Sequence, residues 1–60
     1  MIFISKGKMI RCTNHGVIFL KKIGERYLLD RSGGPAIILN RIGEKFWCRN
    51  GTVVKGVKNA

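Results

Sequence analysis

Acidic residues are scarce in this chain, which has three Asp and Glu against twelve Lys and Arg. The formal net charge is +9 in 60 residues, so a positive potential is expected over most of the surface. Polyanions bind such a surface and release counterions, and nucleic acid, either DNA or RNA, is the first partner that the charge predicts. The charge also fits an acidic partner protein, or a small domain that charge simply keeps in solution.

The groups that carry catalysis or hold metals are also few, with one His and two Cys beside the three carboxylates. His15 lies close to Cys12 in the sequence, but structural zinc needs four ligands and the chain offers no clear fourth. No acidic neighbour is present to orient a Cys–His pair. Glu25 and Glu44 each precede a basic residue, which predicts ion pairs. We expect no enzyme activity, no metal and no cofactor.

Long apolar runs and signal-peptide features are missing as well. The longest wholly apolar run, residues 17–20, is far below the roughly 20 residues that a membrane-spanning helix requires. The first residues lack the regions typical of a signal peptide. Cys12 and Cys48 are fewer than the four or more cysteines usual in disulfide-dependent secreted domains. These absences predict a soluble, cytoplasmic protein with reduced thiols and no membrane partner.

Apolar sequence divided by glycine makes up the rest of the chain. Hydrophobic residues form 45% of it, enough for folding, and the length suits one small basic β domain spanning residues 1–60. Eight glycines separate short segments rich in β-branched and aromatic residues, which favours strands and tight turns. The segments are residues 2–4, 9–13, 17–20, 26–29, 36–39, 45–48 and 52–54. They predict an all-β fold, a small antiparallel β-meander of five to seven short strands curled into an SH3-like or OB-like barrel.

The strongest hairpin signal is Asn50-Gly51, because a type I′ turn needs positive φ at both central residues. A two-residue turn there places Cys48 opposite Val53 and Trp47 opposite Val54.

The tripeptide Ile-Gly-Glu occurs at residues 23–25 and again at 42–44, each time followed by a basic and an aromatic residue. This repeat predicts two similar hairpins, the second turning at Gly43-Glu44 and pairing Leu39 with Cys48.

Strand alternation divides the side chains between two faces. The predicted core face holds Ile18, Leu20, Tyr27, Leu29, Ile37, Leu39, Phe46, Cys48 and Val53. The second face holds Phe19, Leu28, Ile38, Trp47 and Val54 among Lys21, Arg26, Lys45 and Arg49. A flat sheet would expose much of this second face, which indicates either a barrel or a covering partner, and a homodimer fits that need.

Trp47 is the first candidate for a contact with nucleic acid, because Lys45 and Arg49 share its face. An aromatic ring between cations can stack on an unpaired base while the cations hold phosphates. The alternative is that Trp47 anchors a core or an interface. The candidate nucleic-acid-binding residues are Trp47, Lys45, Arg49, Arg26, Lys21 and Arg41.

The sequence therefore predicts a non-enzymatic, regulatory or accessory protein that binds nucleic acid mainly through phosphate contacts. The alternative function is a small protein-interaction module, an inhibitor or adaptor of the kind that mobile genetic elements encode, which binds an acidic protein. A third is a self-assembling subunit joined through a sheet edge or the second face.

Overall fold

The computed structural model describes residues 1–41 and 43–57, so Ile42 of the repeated tripeptide lies outside the described residues. The described chain forms seven antiparallel strands in one sheet. The strands are β1 (Ile2–Ser5), β2 (Lys8–Thr13), β3 (Gly16–Ile23), β4 (Arg26–Leu29), β5 (Ile37–Leu39), β6 (Glu44–Arg49) and β7 (Thr52–Val57). Each predicted segment corresponds to one strand, which confirms the all-β prediction. Within these described ranges there is no helix of the length and apolarity needed to cross a membrane.

Tight two-residue turns connect several of the strands. Asn50 and Gly51 have φ values of 51° and 84°, which confirms the predicted type I′ turn between β6 and β7. The turn from β1 to β2 has the same character, with φ of 49° at Lys6 and 75° at Gly7. Between β3 and β4 only the first central residue, Gly24, has positive φ, which is typical of a type II′ turn.

Strand β3 is the centre of the sheet because it pairs with three other strands. Strand β2 pairs along one edge, while β4 and β5 share the other, β4 beside residues 20–23 and β5 beside residues 16–18. At Gly16 the two backbones approach so closely that a Cβ atom would overlap the Ile38 carbonyl oxygen. Glycine is therefore required where β5 joins β3.

The strand order is β1-β2-β3-β5-β6-β7, with β4 beside β3. Strand β6 runs past the end of β5 and reaches the end of β4. There the Gly51 N–H donates to the Leu29 carbonyl at 2.8 Å, and the Arg31 N–H donates to the Cys48 carbonyl at 3.3 Å. Within the described ranges, β1 pairs only with β2 and β7 only with β6, so the sheet is open and the predicted barrel is not confirmed.

The turn predicted at Gly43-Glu44 is wrong. Glu44 is the first residue of β6 and pairs with Leu39, so Leu39 does not face Cys48. The connection lies between Leu39 and Glu44, and Gly43 in it takes a φ of 68°. Glu25 therefore lies in a turn whereas Glu44 lies in a strand, because the strands around the two copies of the tripeptide pair differently.

The predicted pairing of Trp47 with Val54 is also wrong, although Cys48 does face Val53. A β-bulge between Trp47 and Cys48 shifts the register, and Trp47 faces Lys55. A bulge sets an additional residue of one strand against its partner, which the periodicity of one strand does not reveal.

The division into two faces is confirmed for strands β3 to β6, whereas Val54, predicted on the second face, lies at the bulge. The core face is not a closed core. Ile18 pairs with Ile37 and Leu20 with Leu29, as the predicted grouping requires. These side chains are only partly buried, and so are the apolar side chains Phe19, Leu28, Ile38 and Trp47 on the second face. The fully buried apolar residues of the described chain are Ala36 and Cys48. A single sheet has no second layer to cover either face, so apolar surface remains accessible on both.

Candidate nucleic-acid interface

A groove of about 430 Å³ lies on the second face, between strands β2 and β3 and the loop that follows β4. Four cationic residues line it, namely Lys8, Lys21, Arg31 and Arg49. Ile10 and Phe19, which face each other across β2 and β3, contribute apolar surface. The groove thus combines several positive charges with an apolar floor.

The wall of the groove is the loop of residues 30–36, and both of its ends are bonded to Phe19. The Asp30 N–H donates to the Phe19 carbonyl at 3.2 Å, and the Phe19 N–H donates to the Ala36 carbonyl at 2.7 Å. Ala36 is fully buried, which secures the end of the loop. A single residue of β3 therefore holds both ends of the wall.

Arg31 is packed within this wall. Its guanidinium carbon lies 3.9 Å from the centroid of the Phe19 ring, and its Nη1 donates to the Pro35 carbonyl at 3.2 Å. Gly34 also packs closely against the guanidinium, because a Cβ atom added to Gly34 would lie only 3.3 Å from the guanidinium carbon. The guanidinium is therefore held between Phe19 and Gly34, and its positive charge has a set position in the groove.

Asp30 places a buried carboxylate beside these cations, although no local sequence pattern marks it as a site residue. Asp30 is 7% exposed, and its Oδ2 accepts a hydrogen bond from the Asn50 N–H at 2.8 Å. The Arg49 Nε lies 3.8 Å from the same oxygen. Because the Arg49 side chain is 51% exposed, this long ion pair is screened and leaves Arg49 accessible to a ligand. Asp30 thus anchors the β6–β7 turn at the edge of the groove.

The predicted binding residues are divided among several places. Lys21 and Arg49 line the groove together. Trp47 and Lys45 lie on β6, on the second face but outside the lining of this groove. Arg26 at the start of β4 and Arg41 after β5 are exposed and also outside it.

Trp47 is partly buried, and the Lys55 ammonium lies 5.0 Å from its ring centroid. The bulge in the β6–β7 pair creates this contact by placing Lys55 opposite the ring. A base could stack on the face that Lys55 covers only after that side chain moved away, so the stacking role stays a prediction.

Two groove residues, Lys8 and Arg31, were missed as candidate site residues. A signal for Lys8 was available, because a two-residue turn at Asn14-His15 pairs Lys8 with Lys21. No comparable signal existed for Arg31, since its contact with Phe19 depends on the path of the loop.

The remaining titratable groups of the described residues include two cysteines and two glutamates. Burial raises the pKa of the Cys48 thiol, and the nearby negative charge of Asp30 raises it further. Both Cys48 and Cys12 are free thiols. Among the residues whose placement is described, no three His, Cys, Asp or Glu side chains form a metal-binding group, and neither Glu25 nor Glu44 makes the expected ion pair.

No family model, curated protein or solved structure matches the chain. The groove is therefore the feature from which a function is inferred.

Proposed function

We propose that this protein is a non-enzymatic nucleic-acid-binding domain with a regulatory or accessory role, and that it holds phosphates in the groove on its second face. The observation that supports this most is the convergence of Lys8, Lys21 and Arg49 around one groove, with the fixed charge of Arg31 in its wall. Lys8, Lys21 and Arg49 are exposed, so phosphate oxygens can reach them.

The open sheet is sufficient for this function, and a closed SH3-like or OB-like barrel is not required. Phosphates contact the rim of the groove, and a base lies over the apolar floor near Ile10. Arg31 loses little side-chain freedom when a ligand binds, because Phe19 and Gly34 already hold it. Trp47 adds stacking only where Lys55 is displaced.

The combination of charge and apolar floor favours nucleic acid over an acidic polypeptide. A nucleotide has a fixed phosphate charge next to a flat, partly apolar base, and the groove offers both kinds of surface within one site. Carboxylates on flexible side chains would use the cations but would leave the apolar surface at Ile10 without an equivalent partner. The excess of nine positive charges supplies the long-range attraction for either ligand.

The decisive experiment compares Lys21→Glu with Lys22→Glu. These neighbours on β3 point to opposite faces, and both substitutions change the net charge equally. We expect Lys21→Glu to weaken binding of a fluorescent single-stranded oligonucleotide at least about tenfold, and Lys22→Glu only by the smaller effect of net charge. Fluorescence anisotropy measures both affinities, and a short duplex is titrated in parallel.

The salt dependence provides a second readout. Three phosphate contacts to a single strand predict that the affinity of the unsubstituted protein falls by roughly two log units per tenfold rise in salt. The same titration with poly-glutamate tests the acidic-protein alternative. Equal losses for Lys21→Glu and Lys22→Glu, or tighter binding of poly-glutamate than of the oligonucleotide, would contradict the proposal.

A further inference from the structure

The edge strand β1 is apolar on both faces and has no charged side chain. Ile2, Phe3 and Ile4 are 56%, 52% and 60% exposed. An exposed apolar edge strand without lysine, proline or a bulge lacks the features by which natural sheets prevent edge pairing. In a chain of charge +9, the side chains of this strand add no positive charge against an approaching copy, and the positive groups that flank it are the Met1 ammonium and Lys6.

The backbone of β1 also presents an unused set of hydrogen-bonding groups. The Met1 amino group donates to the Cys12 carbonyl at 2.8 Å, and the Cys12 N–H donates to the Met1 carbonyl at 2.8 Å. Hydrogen-bonded and non-hydrogen-bonded pairs alternate along an antiparallel ladder, so Phe3 is the next residue bonded to β2. The N–H and carbonyl groups of Ile2 and Ile4 therefore point away from β2, and β2 is the sole strand paired with β1 in the described part of the chain.

We propose that a second copy of this chain pairs with this edge, β1 against β1 in antiparallel orientation, with Phe3 at the two-fold axis. In this register Ile2 of each copy faces Ile4 of the other, and each such pair exchanges two N–H···O bonds. The two Phe3 residues form the closer, non-hydrogen-bonded pair and share one face. An edge that is complementary to itself is what a two-fold dimer requires.

Strand β7, at the opposite end of the strand order, fits a copy less well. It contains the bulge opposite Trp47, the cation Lys55, and Gly56 beneath the Phe46 ring. A bulge and a charged side chain both hinder regular pairing with a further strand. Four-residue β1 edges bury less than the roughly 1,000 Å² expected of a stable specific interface, so the dimer is expected to dissociate on dilution.

The proposed pairing places both grooves on the same side of one continuous sheet, because residues that face each other across paired strands lie on the same face. Each groove spans β2 and β3, one strand away from the axis. With neighbouring strands about 4.8 Å apart, the two groove centres lie roughly 20 Å apart. If the grooves bind nucleic acid, one strand could contact both copies.

Sedimentation measurements without nucleic acid test the dimer separately from the proposed function. The mass is expected to rise with protein concentration from 6.7 kDa towards twice that value, and more readily at higher salt, because salt screens the repulsion between copies. Ile4→Lys is expected to abolish this rise. Val54→Lys is the matched control, since Val54 is equally exposed, at 61%, but lies on β7.

Hydrogen exchange of the unsubstituted protein tests the register and does not depend on whether a variant folds. The Ile4 amide is expected to become protected as the concentration rises, whereas the Phe3 amide, bonded to β2, is protected in monomer and dimer alike. A mass that stays at 6.7 kDa at every concentration would overturn the proposal. So would an Ile4 amide that exchanges rapidly in a dimer, or a dimer that only Val54→Lys disrupts.

Discussion

At the scale of single residues, Asp30 and Cys48 are two of the few buried residues in this small sheet. Cys48 packs at the point where β6 meets the end of β4, and Asp30 bonds the turn that follows it. The carboxylate is tolerated there because the Asn50 N–H satisfies it and Arg49 lies nearby. Burial and the charge of Asp30 then disfavour the thiolate of Cys48.

The raised pKa of Cys48 predicts a loss of stability at alkaline pH. The unfolded chain releases the thiol proton at a lower pH than the folded chain. The contribution of Cys48 to the free energy of unfolding is therefore complete below the ordinary thiol pKa and falls as pH rises towards the folded-state pKa. Urea denaturation under reducing conditions is measured at several pH values for the unsubstituted protein and for Cys48→Ala. The difference between the two free energies of unfolding should shrink with rising pH, and a constant difference would show that Cys48 does not titrate in this way.

At the scale of elements, the two type I′ turns differ in the residues that occupy their positive φ positions. The turn between β6 and β7 has Asn and Gly at its two positive φ positions, whereas the turn between β1 and β2 has Lys6 and Gly7. Asn tolerates the left-handed region better than Lys does. The β1–β2 hairpin therefore contains avoidable strain at a single residue.

Lys6→Asn is expected to raise the free energy of unfolding by about 0.5–1 kcal/mol, because it gives the first hairpin the Asn-Gly sequence that a type I′ turn favours. Asn50→Lys, the reverse change in the equivalent turn, is expected to lower it by a similar amount. Urea denaturation followed by the fluorescence of the single Trp47 measures both changes. Lys6→Asn also removes a positive charge, and Lys22→Asn is the control for that change. An equal gain in the free energy of unfolding of Lys22→Asn would show that the effect comes from charge.

At the scale of the whole molecule, net charge opposes folding while it favours binding. Sixty residues in a single sheet bury little apolar surface, and a charge of +9 adds repulsion throughout the folded chain. A bound polyanion relieves that repulsion. A second copy instead covers apolar surface on a strand without charged side chains and brings two positive chains together, so the two proposed interactions respond to salt in opposite directions.

This balance predicts that sodium chloride stabilises the free protein. Between about 0.05 and 0.5 M salt, the free energy of unfolding is expected to rise by on the order of 1 kcal/mol, because many weak repulsions are screened. Thermal or urea denaturation of dilute Ile4→Lys measures this without dimerisation. Adding Lys22→Glu to that variant lowers the net charge and should reduce the dependence on salt. A stability that falls as salt rises would mean that attractive ion pairs dominate.

Local sequence patterns by themselves determined the strands, the Asn50-Gly51 turn, the division into two faces and the positive charge. These properties depend on backbone preferences and alternation within a few residues, which a single segment expresses. That Lys21 and Arg49 lie near each other was partly predictable from the sequence, because strand alternation places both on the second face.

Only the tertiary structure decided where β4 and β5 meet β3, where β7 bulges against β6 and how the groove closes. Asp30 bonds Asn50 and Arg31 packs on Phe19 across loops whose paths no local pattern specifies. In the sequence Gly16 looks like an ordinary turn glycine. Only the close approach of the Ile38 carbonyl shows why glycine is required at this position. Such contacts join distant segments, and their geometry follows from the packing of the whole sheet.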